Sequence, residues 1–515
     1  MKTVAIIGAG PGGLVTARYL KAQGLEPVLF EQSDSLGGQW NGTAEHSGVW
    51  PDMRTNTSKL MTSFSDLEPN PDLALYPSNQ EMLAYLKRYA DKFDITSAIR
   101  TRTRVEEISL NSDNQAYDIC FTTTGEQSQT ETFPNVVIAP GRYNKPWIPP
   151  VKGLQSFSGS EGVNHTFNYK NPEQYRGKRV LLGGCSISAL EIASDLAMLG
   201  AEHVVNCNRR QRYVLPKIIA GVPNEQLTFS RFAALAEEYL PAEIVAMQFK
   251  EFILRTSGSP EQYGAAKPAD NVFEAGITQS HYFLPLVAEG RIFVRPWIEE
   301  VRDRTVQFTD GSSEEFDAIM FGTGFKLALP YLSDDLRQTL NRDADSLDLY
   351  DFTFHPELPG LAFIGMYELV GPYFTVLELQ ARWLAYAWSG VLPMPSTDVM
   401  QAGIARHRRL KLGLQKFPMH ALAILFSRNA GVEPPVAHYP ELAAALMFGP
   451  LSARSFRLYG PDAVVDAAEH LRRTALATGA MREQGLTPEQ RGQLQALAGG
   501  IGDPAWTGLV DKLTA

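Results

Sequence analysis

A chain of 515 residues, 44% hydrophobic and 20% charged, has enough apolar side chains for several domains with large cores. Its net charge of −10 gives no basic footprint for nucleic acid or anionic lipid, and no apolar run reaches the roughly 18 residues that span a bilayer. The expected partners are therefore small molecules, with no nucleic acid and no membrane.

Val4 to Ile7 is a continuous, β-branched run, the pattern of a strand buried on both faces. Gly8, Gly10 and Gly13 follow in G-x-G-x-x-G spacing. In a strand–turn–helix unit of this kind the first glycine makes the tight turn, the second admits a pyrophosphate to the backbone, and the third lets the helix pack on the strand. A second apolar run ends in Glu31, placed to accept hydrogen bonds from an adenosine ribose and to repel a 2′-phosphate. This site therefore favours FAD or NAD over NADP. Lys2 before the apolar run looks superficially like a signal peptide, but the glycines fall where the apolar segment would have to be helical.

Next comes a loop with paired glycines (Gly37, Gly38) running to Gln39 and Trp40, a second close approach of backbone to ligand. Trp50 to Asp66 mixes aromatics, Asn56 and hydroxyls without a period, as a cavity lining does. Tyr76 to Phe93 has helical spacing, and Arg104–Leu110, Tyr117–Thr122 and Thr130–Ile138 predict strands of a small meander. The last of these ends in a buried run and a Gly141 turn, before a proline-rich pause at Lys145 to Val151.

A second nucleotide unit follows. Arg179 to Gly184 predicts a strand, Ser186 to Leu199 a helix, and His203 onward a second strand. Only the first glycine of the fingerprint is kept, with small residues including Ser186 and Ser188 in the turn. Where the first unit ends in Glu31, this one ends in Arg209, Arg210 and Arg212. Guanidinium there complements a 2′-phosphate and points to NADP; the alternative is a plain solvated turn. Tyr213 to Gly264, with helical patterns at Phe232–Tyr239 and Ile244–Ile253, reads as an insertion over the cleft. Strands are expected near Ile292, Val306 and Phe316–Phe321, the last closing in Gly322-Thr323-Gly324, with another at Leu361–Ile364. An amphipathic helix, Val376–Trp388, carries Glu378, Gln380 and Arg382, and the remainder is helical with proline breaks and no motif of chemistry. Cys120, Cys185 and Cys207 are scattered without C-x-x-C, which argues against a disulfide framework, zinc site or redox dithiol and for a reducing cytoplasm.

Taken in order, these residues resemble the flavin-containing monooxygenases, class B flavoproteins, over roughly residues 3 to 390. The motifs are the Gly8 fingerprint, Glu31, Gly38-Gln39-Trp40, the Asn56 segment, Ala139-Pro-Gly141 through Pro149, the Gly184 turn, Phe321 to Phe325, and Glu378 to Trp383. The histidine signature appears as Phe157-Ser-Gly159 and His165 to Tyr169, with two extra residues between Gly159 and His165. The Gly184 turn with Ser186 is similar to that of bacterial trimethylamine monooxygenases.

The resemblance implies an α/β fold with two Rossmann-like domains, the NADPH domain inserted into the FAD domain. The boundaries are drawn at 1–152 (FAD), 153–305 (NADPH), 306–390 (FAD again) and 391–515 (helical). It implies FAD and NADPH as cofactors, O2 as co-substrate, and leaves a homodimer open. By resemblance Gly8, Gly10, Gly13, Glu31, Gly38, Gln39, Trp40, Asn56, Val105, Gly141, Ser186, Ser188, Arg209, Thr323, Gly324 and Gln380 bind cofactor. Asn56 would hold the oxygenated flavin, a C4a-hydroperoxide, and Trp50 would line the substrate pocket. No metal site is expected. The implied reaction is oxygen transfer to a soft nitrogen or sulfur, favoured by the signature's ending in Tyr169. Baeyer–Villiger oxidation of a ketone is the first alternative, an NADPH-dependent flavin reductase the second, and a non-catalytic dinucleotide sensor the third.

Overall fold

The computed structural model describes residues 2–111, 113, 115–341, 346–410 and 416–514. The first apolar run is strand β1 (Thr3–Ile7), followed by helix α1 (Pro11–Ala22) and strand β2 (Glu26–Phe30), parallel to β1. Side chains alternate along β1, so Val4 and Ile6 enter one core while Ala5 and Ile7 enter another on the opposite face. Helix α2 (Asn79–Lys92) begins at a capping box between Ser78 and Glu81 and buries Met82, Tyr85, Leu86 and Tyr89. A short edge strand, β3 (Ile99–Arg100), pairs with β2, and β4 (Thr103–Leu110), β5 (Tyr117–Thr123) and β6 (Gln129–Phe133) make the antiparallel meander. The single strand expected at Thr130–Ile138 is divided at Pro134, which has no N–H to continue a ladder. Past it, β7 (Asn135–Ile138) leaves the meander and pairs with β1.

The second unit contains β8 (Gly162–His165), β9 (Arg179–Gly183), α3 (Ile187–Leu199) and β10 (His203–Asn208). The insertion after β10 holds α4 (Arg231–Tyr239) and α5 (Ala242–Ser257), close to the two helical patterns in the sequence. Then come β11 (Phe293–Pro296), the small antiparallel sheet β12 (Ile298–Arg302), β13 (Thr305–Phe308) and β14 (Ser313–Glu315), and β15 (Ala318–Phe321). The parallel order is β11–β10–β9–β15–β8. This moves the boundary drawn after residue 305: β15 is a buried strand lodged between β9 and β8, so the second unit runs through Phe321.

Phe325 and Lys326 then pair antiparallel with Pro146 and Lys145, so the outgoing and returning connections run side by side. Strand β16 (Leu361–Phe363) completes the first sheet in the order β16–β7–β1–β2–β3. Helix α6 (Phe374–Ser389), almost wholly buried, packs on α1.

Beyond it the chain is helical, as expected: α7 (Thr397–Leu410), α8 (Met419–Asn429), α9 (Ala443–Phe448), α10 (Ala467–Ala477), α11 (Pro488–Ile501) and α12 (Pro504–Thr514). It is bound to the first unit by buried charge. Arg382 of α6 pairs with Asp462 and donates to the Phe456 carbonyl, and Arg457 donates to the Tyr19 hydroxyl at 2.9 Å. Tyr19 in turn donates to Glu378 at 2.9 Å, and Glu378 also accepts the Ser65 amide at 2.7 Å. Breaking one member of such a buried network costs about 3–5 kcal/mol.

Candidate active site

The turn between β1 and α1 is a cradle of bare backbone. Gly8 has φ +104°, and a Cβ there would stand 2.5 Å from the Ala139 carbonyl oxygen. Gly38 has φ +56°, and its Cβ would meet the Gly10 Cα at 2.9 Å, so two backbone segments close on each other here. Helix α1 starts at Gly10 without a side-chain cap, leaving its first amides for an anion. Glu31, 4% exposed at the end of β2, accepts the Ala9 and Ser33 amides, both at 2.9 Å. An amide-rich helix start, walls that admit no Cβ and a buried carboxylate one strand away fit the pyrophosphate and ribose of a dinucleotide. The second turn repeats the plan more loosely: Ser186 caps α3 without a side-chain bond to its amides, its hydroxyl donating instead to the Gly322 carbonyl at 3.0 Å.

Both turns open into one cleft of about 1710 Å3. Gly8, Gly10, Glu31, Gly38, Gln39, Trp40, Asn56, Val105, Gly141, Ser186, Ser188 and Gly324 are in its wall. Gln39 fixes the loop around it, donating to the His46 and Tyr143 carbonyls at 2.9 and 3.1 Å and accepting the Gly48 amide at 2.7 Å.

The other expected residues stand behind the wall or away from it. Gly13 serves packing, since a Cβ would lie 2.0 Å from the Gly8 carbonyl oxygen. Gln380, fully buried, accepts the Gly365 amide at 3.0 Å and donates to Thr353 at 2.8 Å and to the Phe363 carbonyl at 3.0 Å, so it shapes the Gly365 turn of the wall. Thr323, between Gly322 and Gly324 of the wall, donates to the Trp147 carbonyl at 2.7 Å. Trp50, expected in the substrate pocket, is not in this wall; it packs on the core of the second unit, 6.0 Å from the Tyr169 ring. Arg209 is turned away over the Trp297 ring, 4.7 Å from its centroid, and the cations that this strand end brings to the cleft are Arg210 and Arg212. All three arginines lie in the turn after β10, outside any strand, so their place in the sequence alone did not resolve which of them faces the cleft.

Asn56 is half-buried in the wall on a loop held from both sides. The Thr55 amide donates to the Pro77 carbonyl at 2.9 Å, the Ser58 amide to Glu225 at 2.7 Å, and Gln226 to the Ser58 hydroxyl at 2.8 Å. Glu225 and Gln226 belong to the insertion, whose sequence carried no motif. The helical tail also reaches the site: Lys416 lies 3.7 Å from Glu368, which pairs with Arg142 at 3.2 Å, and His420 lies 3.0 Å from Glu237. Lys416, Arg142, His420 and Glu237 are all in the wall. Only Arg142, inside the Gly141-Arg-Tyr turn, had a signal in the sequence.

The histidine signature is a joint, not a reacting group. His165 ends β8 at 2% exposure, accepts the Phe167 amide at 3.1 Å, and sets its ring 5.1 Å from Phe325. Burial pushes its pKa down to about 4. Tyr169, at the motif's other end, is buried and donates to Asp195 at 2.9 Å.

The family profile described as flavin-binding monooxygenase-like matches residues 1–482. The dimethylaniline monooxygenase 2 of Rattus norvegicus, named as N-oxide-forming, is 30% identical over 488 residues, 90% of this chain and 89% of its own. Among solved structures, S-allyl-L-cysteine S-oxygenase from Allium sativum aligns with TM-score 0.62 and 22% identity over 84% of this chain and 88% of its own. Cyclohexanone monooxygenase from Rhodococcus sp. Phi1, bound to NADP+, aligns with TM-score 0.61 and 17% identity over 84% and 97%. The two glycine-lined turns, meeting in one cleft on this fold, belong to a chain of the flavin-binding monooxygenase-like family, an oxidoreductase that uses FAD and NADPH.

Proposed function

We propose that the enzyme transfers one atom of O2 to a soft nucleophilic nitrogen or sulfur of a small molecule, acting in the cytoplasm. The observation that carries this reading is the convergence of both nucleotide turns and Asn56 on a single cleft. The N-oxide-forming relative, similar over nine-tenths of the chain, supports nitrogen as an acceptor.

In this reading Gly8, Gly10, Gly38 and Glu31 hold FAD, while Ser186, Ser188, Arg210 and Arg212 receive NADPH. Bound FAD, reduced by NADPH, supplies the activated oxygen. The chain's own residues orient the cofactors and keep water out. Trp40, Phe229, Phe325 and Leu377 make much of the wall apolar. The Asn56 amide both donates and accepts, as needed beside a flavin that changes its protonation. The test is NADPH and O2 consumption by the purified holoenzyme across a panel of amines and sulfides, with N- or S-oxides as products. Ketones converted to esters or lactones, with the amine and sulfide panel inert, would move the assignment to Baeyer–Villiger oxidation.

A further inference from the structure

We propose that Glu225 is a catalytic residue of this enzyme: its carboxylate takes the proton of an ammonium substrate and so frees the nitrogen lone pair for oxygen transfer. The inference rests on the N-oxygenating reading above.

Glu225 is in the cleft wall yet only 1% exposed. One carboxylate oxygen accepts the amide of Ser58, two residues from Asn56, at 2.7 Å, while the other, equally buried, has no hydrogen-bond partner. A buried carboxylate oxygen without a donor is unfavourable in the free protein, and a substrate N–H would satisfy it. The charge pattern of the insertion agrees. Among the described residues from Tyr213 to Gln279, the wall has apolar Phe229, Val245 and Phe249 beside polar Asn224, Thr228, Thr278 and Gln279, and its charged groups are three acids, Glu225, Glu237 and Glu274; the cations Arg210 and Arg212 stand just before this stretch. Such a surface favours a lipophilic cation over an anion.

Aliphatic amines arrive protonated, as a lysine side chain with pKa about 10.4 does. In that form the nitrogen has no lone pair to offer. In a water-poor cleft burial disfavours both charges, so transfer from ammonium to carboxylate neutralises the pair. One N–H bond breaks and one O–H bond forms: a trialkylammonium ion and the Glu225 carboxylate give the free trialkylamine and the Glu225 carboxylic acid. The overall equation balances as trialkylammonium + O2 + NADPH → trialkylamine N-oxide + NADP+ + H2O, the ammonium proton ending in water. A thioether has a free lone pair and needs no such base; its equation draws a proton from solution instead.

The groups around Glu225 suit this part. Burial raises its pKa, while the Ser58 hydroxyl, the Ser58 and Glu225 amides and, least, Lys217 pull it back. Lys217 is itself paired with Glu191 at 3.0 Å, Tyr76 donates to the Lys217 carbonyl at 2.6 Å, and His420 with Glu237 lies across Phe229.

The test compares wild type and Glu225→Gln on benzyldimethylamine and benzyl methyl sulfide, which share a shape. Glutamine keeps an acceptor for the Ser58 amide and cannot take the proton. Loss of a general base should lower kcat/KM for the amine about 10²-fold at neutral pH. Sulfide turnover should be nearly unchanged, and the variant's amine rate should recover as pH approaches the amine's own pKa. A second readout needs no turnover: calorimetric binding of the amine to oxidised holoenzyme in buffers of different ionisation enthalpy. Wild type should release no proton, and Glu225→Gln about one per amine bound, because the substrate can then bind neutral only by losing its proton to buffer. Equal losses on both substrates would overturn the proposal and leave Glu225 a support of the Asn56 loop, as would unchanged proton release. An enzyme active on sulfides but not amines also overturns it while the oxygenase reading stands. One inert to both overturns the two together.

Discussion

Gly10 and Gly13 lie three residues apart in one motif, yet an added methyl would meet different surroundings at each. At Gly13 an added methyl would stand 2.0 Å from the Gly8 carbonyl oxygen, a backbone atom that cannot step aside, so α1 must shift off β1. Overpacking of this kind costs about 1–3 kcal/mol, which lowers Tm by roughly 2–12 °C in a domain of this size. At Gly10 the nearest atom to an added methyl is the Gly38 Cα at 3.5 Å, an ordinary contact, and φ of −76° suits alanine. Gly10→Ala should therefore leave the apoprotein as stable as wild type. What it loses is the approach of the pyrophosphate to the backbone. Displacing one charge-assisted hydrogen bond, about 1.5–3 kcal/mol, weakens FAD about ten- to hundred-fold, and the bulkier Gly10→Val should abolish binding. Apoprotein melts and flavin absorbance per chain measure the two effects independently. Equal apoprotein destabilisation by Gly10→Ala and Gly13→Ala, or full flavin content in Gly10→Val, would refute the division.

Removing Arg210 or Arg212 should weaken NADPH about ten- to hundred-fold, as loss of a charge-assisted bond does, with NADH little affected; Arg209→Ala should do neither, and steady-state KM values for both coenzymes decide it. Asn56→Ala should keep anaerobic flavin reduction by NADPH while substrate oxygenation collapses and H2O2 rises, as stopped-flow reduction and peroxide release would record. His165 has a depressed pKa, about 4 against an ordinary 6.5. The unfolded chain therefore takes up a proton that the folded one refuses, and this contribution to stability is lost as pH falls from about 6.5 toward 4. Tm followed across that window should fall less steeply for His165→Asn than for wild type.

Much of this fold was legible because its signals are local. A β-branched run before glycines, an acid closing the next strand and the helical spacing from Tyr76 to Phe93 each need only a few neighbouring residues to act. Pro134 was also visible, but its consequence, one run divided between two sheets, depends on which strands wait on either side. The unit to which β15 belongs was hidden for a similar reason. Its closing Gly-Thr-Gly turn matches the first unit's style, while its hydrogen bonds go to β9 and β8. The site was legible where backbone makes it, at Gly8, Gly10 and Gly38, and illegible where distant side chains do. Glu225, Lys416 and His420 reach the cleft from an insertion and a tail whose sequences are ordinary. Trp50 and Arg209 show the converse: suitable residues at suitable positions, turned into Tyr169 and Trp297.

The position of β16 sets the order in which the chain can fold during synthesis. β1 is made at the start, but β16, which closes the far edge of its sheet, spans Leu361–Phe363, and α6, which covers α1, comes later still. At about 5–20 residues per second, roughly 20–70 s separate the first strand from the last. Throughout that interval α1 has an uncovered apolar face, and from its own synthesis onward β7 presents an unpaired edge. The second unit, whose sheet strands all lie between Gly162 and Phe321, has everything it needs before β16 exists. The second unit is thus complete while its host is still open, and the nascent chain spends its most aggregation-prone period as a finished second unit beside half of the first.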